Sequence, residues 1–405
     1  MSRKACRLCG LEAIRLINVY GYAAVCESCA RAVADLLERE DSARREVATS
    51  AQILTPAEIK SRLDEYVIGQ DRAKRVLAVA AYNHYKRLRS RISLGDIELE
   101  KSNILLIGPT GSGKTLLART LARILDVPLS ISDATSLTET GYVGEDVESV
   151  LAGLIAAAEG RLSAASRGIV YIDEIDKIAR REVGSTINRD VSGEGVQQGL
   201  LKILEGSEIG VPREGRRGAQ QEMVPFNTRD ILFICGGAFH GLEKIVGARL
   251  GSSGLGFSAE PRRREVGPEL LGDTRPADLI KFGMIPEFVG RLPVIAAVSE
   301  LTQAELVRIL EEPRNALVRQ YQKLFEMDGI ELKFTPGALQ AVARQAQARQ
   351  SGARGLRSVL EEVVLDAMYE LPGRQMSECV ITEEAVLGRA KPCYVAGERR
   401  RAASG

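Results

Sequence analysis

The chain has no tryptophan, only 4% aromatic residues, two histidines and almost no net charge, with 55 Lys plus Arg against 54 Asp plus Glu. Each shortage excludes something. Balanced charge provides no global positive field of the kind that holds nucleic acid or an anionic membrane, so only local patches remain for such partners. No apolar run approaches the roughly 18 residues needed to cross a bilayer. The opening MSRKACRLCG carries charge with no apolar stretch behind it, so no membrane span or export signal is expected, and the cytoplasm is the expected compartment. His84 and His240 have no convincing nucleophile nearby, so no Ser-His-Asp set is assembled and peptide cleavage belongs to a partner, if anywhere. What is present is ordinary: 45% apolar and 27% charged residues argue against wholesale disorder. A length of 405 residues exceeds one compact core and predicts two or three domains.

Four of the seven cysteines fall within the first 29 residues: Cys6, Cys9, Cys26 and Cys29 form C-x2-C-x16-C-x2-C. Each C-x2-C knuckle aims two thiolates at one point, and this spacing fits a tetrahedral Zn2+ site, one per chain. Two disulfides are the competing arrangement, but nothing indicates secretion. LINV and VYGYAAV are too little to build a core, so the metal supplies the missing stability, and four protein ligands with no open position make the site structural. Cys235, Cys379 and Cys393 read as buried thiols in a reducing compartment. The divisions expected are a treble-clef-like zinc module over 1–48, a linker over 49–62, a large domain over 63–300, a small domain over 301–388 and a flexible tail over 389–405.

The stretch NILLIGPTGSGKTLLARTLARIL is an apolar strand, a glycine-rich loop and a helix. Gly108, Pro109, Thr110, Gly111, Ser112, Gly113, Lys114, Thr115 and Leu116 are its ATP-binding residues. Glycines turn backbone N–H groups onto phosphate oxygens, Lys114 reaches the β and γ phosphates, and Thr115 offers a hydroxyl to Mg2+. A second apolar strand, GIVYIDEIDK, ends in adjacent acids. Asp173 is assigned to Mg2+ and Glu174 to the attacking water, while Asp176 suits a helix N-cap. An α/β fold with a parallel sheet and flanking helices follows.

Other segments leave alternatives open. In LTETGYVGEDVESV, Tyr142 and Val143 lie between Gly141 and Gly144 among charges. Such an aromatic is either pinned into a domain interface or meant to touch something outside its own fold. EGSEIGVPREGRRGAQQEMV is a Gly- and charge-rich insertion. GARLGSSGLGFSAEPRRREVGP is a polar loop with an apolar tip, Leu255-Gly256-Phe257, which either folds inward or asks for a pocket. FGMIPEFVGRLPV carries Arg291, which on residues alone suits a helix C-terminus, and GARGLRS places Arg354 ahead of a helical pattern. DILFICGGA is a strand with no Asn or Thr at its end. Residues 302–370 show helical periodicity broken by MDGIELKFTPG, a Gly turn, a short strand and a new helix start, as in a small helical domain.

From Cys6 to about residue 385, these motifs together resemble the ClpX family of AAA+ unfoldases. The resemblance implies an AAA+ P-loop core with a small helical lid and an N-terminal zinc module. It implies that Val67, Ile68, Gly69 and Gln70 pack over the adenine, that Arg291 acts as a finger on a neighbour's nucleotide, and that Arg354 is the lid's sensor of the γ phosphate. Tyr142 and Val143 match the first pore loop. Arg216 and Arg217, followed by Gly218, stand where the family has Arg-Lys-His in an entrance loop, a change that keeps attraction for a C-terminal carboxylate and puts tag preference in doubt. Leu255, Gly256 and Phe257 replace the Ile-Gly-Phe that docks on the ClpP peptidase. A homohexamer is implied that unfolds tagged proteins with ATP and delivers them to ClpP, with substrates and adaptors recruited by the zinc domain, and with no specific nucleic acid and no membrane partner. A nucleic-acid motor or clamp loader is the rival, but such a channel calls for basic residues, where GYVG offers an aromatic with acids downstream. An inert ATPase on a zinc-bearing binding module is disfavoured, because Lys114, Glu174, Arg291 and Arg354 are all present.

Overall fold

The computed structural model describes residues 5–10, 16–19, 23–34, 54–90, 99–138, 145–180, 191–212, 223–252, 267–349 and 351–397. The chain divides into two compact units, Met1–Ile53 and Leu54–Gly405. Among the described residues no helix is long and apolar enough to cross a membrane.

In the first unit, strands Leu16–Val19 and Ala23–Cys26 pair antiparallel, and residues 27–34 are helical. Among its described residues the buried core is Cys6, Val25 and Cys26. So small an apolar interior cannot offset the entropy of ordering the chain.

The second unit is built on a five-stranded parallel sheet. We number its strands β1 (Ile104–Ile107), β2 (Leu129–Asp133), β3 (Ile169–Asp173), β4 (Leu232–Gly237) and β5 (Val294–Ala297), in the spatial order β5-β1-β4-β3-β2. The central sequences ILLI, IVYID and LFICGG are apolar without alternation because helices cover both faces. Side chains still alternate. Leu105, Ile107, Val170, Ile172 and Phe233 enter one core, and Ile104, Leu106, Ile169, Tyr171, Leu232 and Ile234 enter the other. Helices Pro56–Asp64, Asp71–Ser90 and Lys114–Leu125 supply the second core, and Ser149–Ala157, Val191–Glu205 and Leu242–Ser252 the first.

A third core, running from Leu301 to Val386, belongs to the lid. Helices Gln303–Glu311, Leu317–Met327, Pro336–Ala348 and Ala353–Glu370 surround it. The short strand expected within MDGIELKFTPG is present as Glu331–Phe334, and two further strands join it. Strand Glu331–Phe334 pairs in parallel with Met376–Ile381, which pairs antiparallel with Cys393–Ala396. Part of the stretch expected to be a flexible tail, over 389–405, is therefore an edge strand. Cys393, expected to be buried, is exposed there.

Candidate functional site

The phosphate loop joins β1 to helix Lys114–Leu125 at the carboxyl edge of the sheet, where ligands of doubly wound folds bind. Gly113 caps the helix in a left-handed conformation, φ 98°, and among the described residues no side-chain cap bonds the first-turn N–H groups. Those donors are free to meet an anion. Lys114 is buried, and its Nζ donates to the carbonyls of Gly108 (2.6 Å) and Pro109 (3.0 Å). Burial pulls its ammonium below the usual lysine range, while Asp173 and Asp176 oppose that pull. Ser112 is buried and donates to Pro109 O, whereas Leu116 is exposed.

Thr115 Oγ1 donates to Asp173 Oδ2 at 3.0 Å, so the two sequence-assigned magnesium residues meet. A hydroxyl and a carboxylate are the hard oxygen donors that Mg2+ takes. The other carboxylate oxygen, Oδ1, accepts the Tyr171 hydroxyl at 3.1 Å and the Glu174 N–H at 3.0 Å. Glu174 itself is exposed and left-handed, φ 54°. A non-glycine residue in that region carries on the order of 1 kcal/mol or more of strain, which tends to be tolerated where it aims a working side chain. Asp176 is no N-cap: its carboxylate accepts the Ala238 N–H at 3.1 Å and ties the end of β3 to the end of β4.

The lid closes on the same loop. The Ala353 N–H donates to Gly111 O at 3.1 Å. Gly111 has φ 78°, and a Cβ there would overlap the Ser351 carbonyl. Arg354, in the first turn of helix Ala353–Glu370, is exposed, and its charge adds to the depression of the Lys114 pKa. Arg357 is exposed and pairs with Glu361.

Val67 and Ile68 are buried ahead of Gly69, and Gln70 is left-handed at φ 58°. Gln70 bridges the hinge: its Nε2 donates to Ser299 O and the Ser299 N–H donates to its Oε1, both at 2.8 Å. A cavity of about 400 Å³ opens beside this segment, with Val67, Ile68 and Gly69 on one side and Glu305 and Arg308 of the lid on the other.

Arg291 lies elsewhere. Its carbonyl accepts from Asn103 Nδ2 at 2.9 Å, and Asn103 immediately precedes β1. Arg291 therefore sits at the amino edge of the sheet, opposite the carboxyl edge that carries the phosphate loop. Its guanidinium pairs with Glu205 at 2.9 Å, an exposed contact.

In the first unit the ligand atoms of Cys6, Cys9, Cys26 and Cys29 all lie within 4.8 Å of one another. Cys6 Sγ accepts the N–H groups of Cys26 (3.2 Å) and Leu8 (3.4 Å). The Cys26 N–H is foremost in lowering the Cys6 thiol to about 6, while bonding to Cys26 and Cys9 holds Cys29 up at about 12. Four thiolates this close repel, and a dication relieves that repulsion. The buried thiols Cys235 and Cys379 are each pushed up to about 12 by desolvation, as inert core cysteines are.

Tyr142, Val143, Arg216, Arg217, Gly218, Leu255, Gly256 and Phe257 lie outside the described residues. Sequence reasoning missed the hinge bond of Gln70 and the strand tie of Asp176. The one local signal for Gln70 is its place after a glycine.

A phosphate loop on β1, an acidic pair closing β3 and a helical lid docked on the loop define an AAA+ P-loop ATPase. Residues 99–295 match the AAA domain (Cdc48 subfamily), and residues 301–381 match the C-terminal, D2-small domain of ClpB protein. The chain is 49% identical over 402 residues to the ATP-dependent Clp protease ATP-binding subunit ClpX of Borrelia duttonii (strain Ly), covering 97% of this chain and 94% of that protein. It is 50% identical over 376 residues to the protein so named from Treponema denticola, covering 91% and 90%. The chain belongs to the ClpX family. That membership sets aside the nucleic-acid motor and clamp-loader reading.

Proposed function

We propose that this chain is an ATP-driven protein unfoldase and translocase of the cytoplasm that works as a homohexamer and passes unfolded substrates to the ClpP peptidase. The observation that carries this reading is the split of the ATP machinery: Arg354 arrives with the lid at the chain's own loop, whereas Arg291 stands at the opposite edge of the sheet. An arginine there cannot serve its own nucleotide, and a finger supplied in trans is worth about 10³ to 10⁵ in rate.

In this reading Lys114 and Gly108 to Leu116 hold ATP, with Val67 to Gln70 over the adenine, and Thr115 and Asp173 hold Mg2+. The metal neutralises charge on the phosphates. Glu174 orients the attacking water. Loss of the γ phosphate removes the partner of Arg354 and changes the lid angle through the Gly111–Ala353 junction and the Gln70–Ser299 bridge. Tyr142 and Val143 grip the polypeptide, Arg216 and Arg217 attract its carboxyl terminus, and Leu255 to Phe257 dock on ClpP. Structural Zn2+ on Cys6, Cys9, Cys26 and Cys29 folds the module that dimerises and recruits substrates and adaptors.

The test follows the fluorescence of a stably folded, C-terminally tagged reporter. ATP is expected to abolish the signal with or without ClpP, and peptide release is expected only with ClpP. Tyr142→Ala should hydrolyse ATP without unfolding. An unchanged signal with active ATPase, or unimpaired unfolding by Tyr142→Ala, would overturn the reading.

A further inference from the structure

A tyrosine in a parallel core strand needs a reason, because a buried phenol costs free energy unless its hydroxyl finds a partner. Tyr171 is fully buried at the centre of β3, among Ile104, Leu106, Ile169 and Ile234. Its hydroxyl donates to Asp173 Oδ1 at 3.1 Å, two residues along the same face of the strand. The Glu174 N–H donates to that oxygen at 3.0 Å, while among the described residues Oδ2 receives the Thr115 hydroxyl of the phosphate loop alone, also at 3.0 Å. One carboxylate oxygen is thus fixed by β3 and the other faces the loop.

The neighbouring strand makes room for this arrangement. A Cβ on Gly236 of β4 would overlap the Tyr171 hydroxyl, and one on Gly237 would press on the Asp176 carboxylate and the Phe239 ring. The absence of a polar side chain at the end of β4 has here a physical cause: its space is taken by polar groups reaching across from β3.

We propose that Tyr171 is a positioning residue for the magnesium carboxylate, holding Asp173 with Oδ2 turned toward Thr115, and that Gly236 exists to admit its hydroxyl. The inference rests on the assignment of Asp173 and Thr115 to Mg2+ made above. Without the hydroxyl, Oδ1 loses one of two donors and the carboxylate is free to rotate. Removing an outer partner of a metal ligand costs about 10- to 100-fold in metal affinity.

The experiment titrates Mn2+ into the full chain with ADP and reads bound metal by electron paramagnetic resonance. Tyr171→Phe is expected to weaken Mn2+ by about 10- to 100-fold, Gly236→Ala to share the loss, and fluorescent ADP binding in chelator to stay at the wild-type value for Tyr171→Phe. Asp173→Asn separates the two levels of the argument. If Asp173→Asn loses the metal while Tyr171→Phe binds it like wild type, the positioning role is wrong. If Asp173→Asn itself keeps wild-type Mn2+ affinity, the magnesium assignment falls and takes the role of Tyr171 with it.

Discussion

The backbone N–H of Ala353 donates to the carbonyl of Gly111 at 3.1 Å, so the first residue of a lid helix is bonded to the middle of the phosphate loop. Nothing bulkier than two glycines fits at this crossing: a Cβ on Gly352 (φ 56°) would stand 2.9 Å from Gly111 O.

Gly111→Ala should therefore push the lid off the loop and strain the backbone. Strain of about 1 to 3 kcal/mol corresponds to a loss of roughly 5- to 150-fold in ATP affinity. Titration with a fluorescent nucleotide reads it. Wild-type affinity in a folded Gly111→Ala chain would show that the junction does not support the site.

Glu174→Gln keeps the size of the side chain but removes the charge that orients water. Nucleotide binding should persist while phosphate release slows about hundredfold or more. Retained turnover removes Glu174 from its assigned role.

Chelation should unfold the first unit alone. Among its described residues the apolar core holds three buried ones, whereas structural zinc contributes about 10 kcal/mol or more. Limited proteolysis in chelator should release fragments from residues 1 to 45 and leave the ATPase portion intact. A protease-resistant chelated module contradicts the structural role of the metal.

Acid should destabilise the second unit through His84. Burial, then the charges of Arg87 and Lys101, push its imidazole down to about 3, while the Asp230 carbonyl on Nε2 pulls the other way. The folded state holds the ring neutral, so this stability is complete above the unfolded value near 6.5 and is lost as pH falls toward 3. Denaturant titrations should show a slope of up to about 1.4 kcal/mol per pH unit in that window. Lys101 has a separate window: desolvation first, then Arg87, lower it to about 7, so its contribution improves from pH 7 upward. His84→Gln should flatten the acid slope only. An unchanged slope would place the acid sensitivity elsewhere.

What could be read from sequence was local. The apolar run before Gly108 and the acids after β3 announce themselves within a few residues, and folding brings Thr115 to Asp173 as that reading requires. What could not be read was pairing at long range. Gln70 looks like a polar residue after a turn, yet its partner Ser299 is 229 residues away. Tyr171 looks like core because its ring is core; its hydroxyl reaches Asp173 two residues on, and the long-range part is the room that Gly236 of β4 leaves for it. Strand Met376–Ile381 escaped because only Cys379 and Ile381 of its six residues are buried, and Cys393–Ala396 because it is the exposed edge of that sheet; in neither is there a clean apolar alternation.

The two edges of the β1 sheet face opposite directions, with the phosphate loop on one and Arg291 on the other. On the role proposed for Arg291, each copy gives at one side and receives at the other, a head-to-tail contact that leaves any open row with an unserved nucleotide at one end and an idle arginine at the other. Only a row that bites its own tail serves every member, and a row so closed encloses a hole.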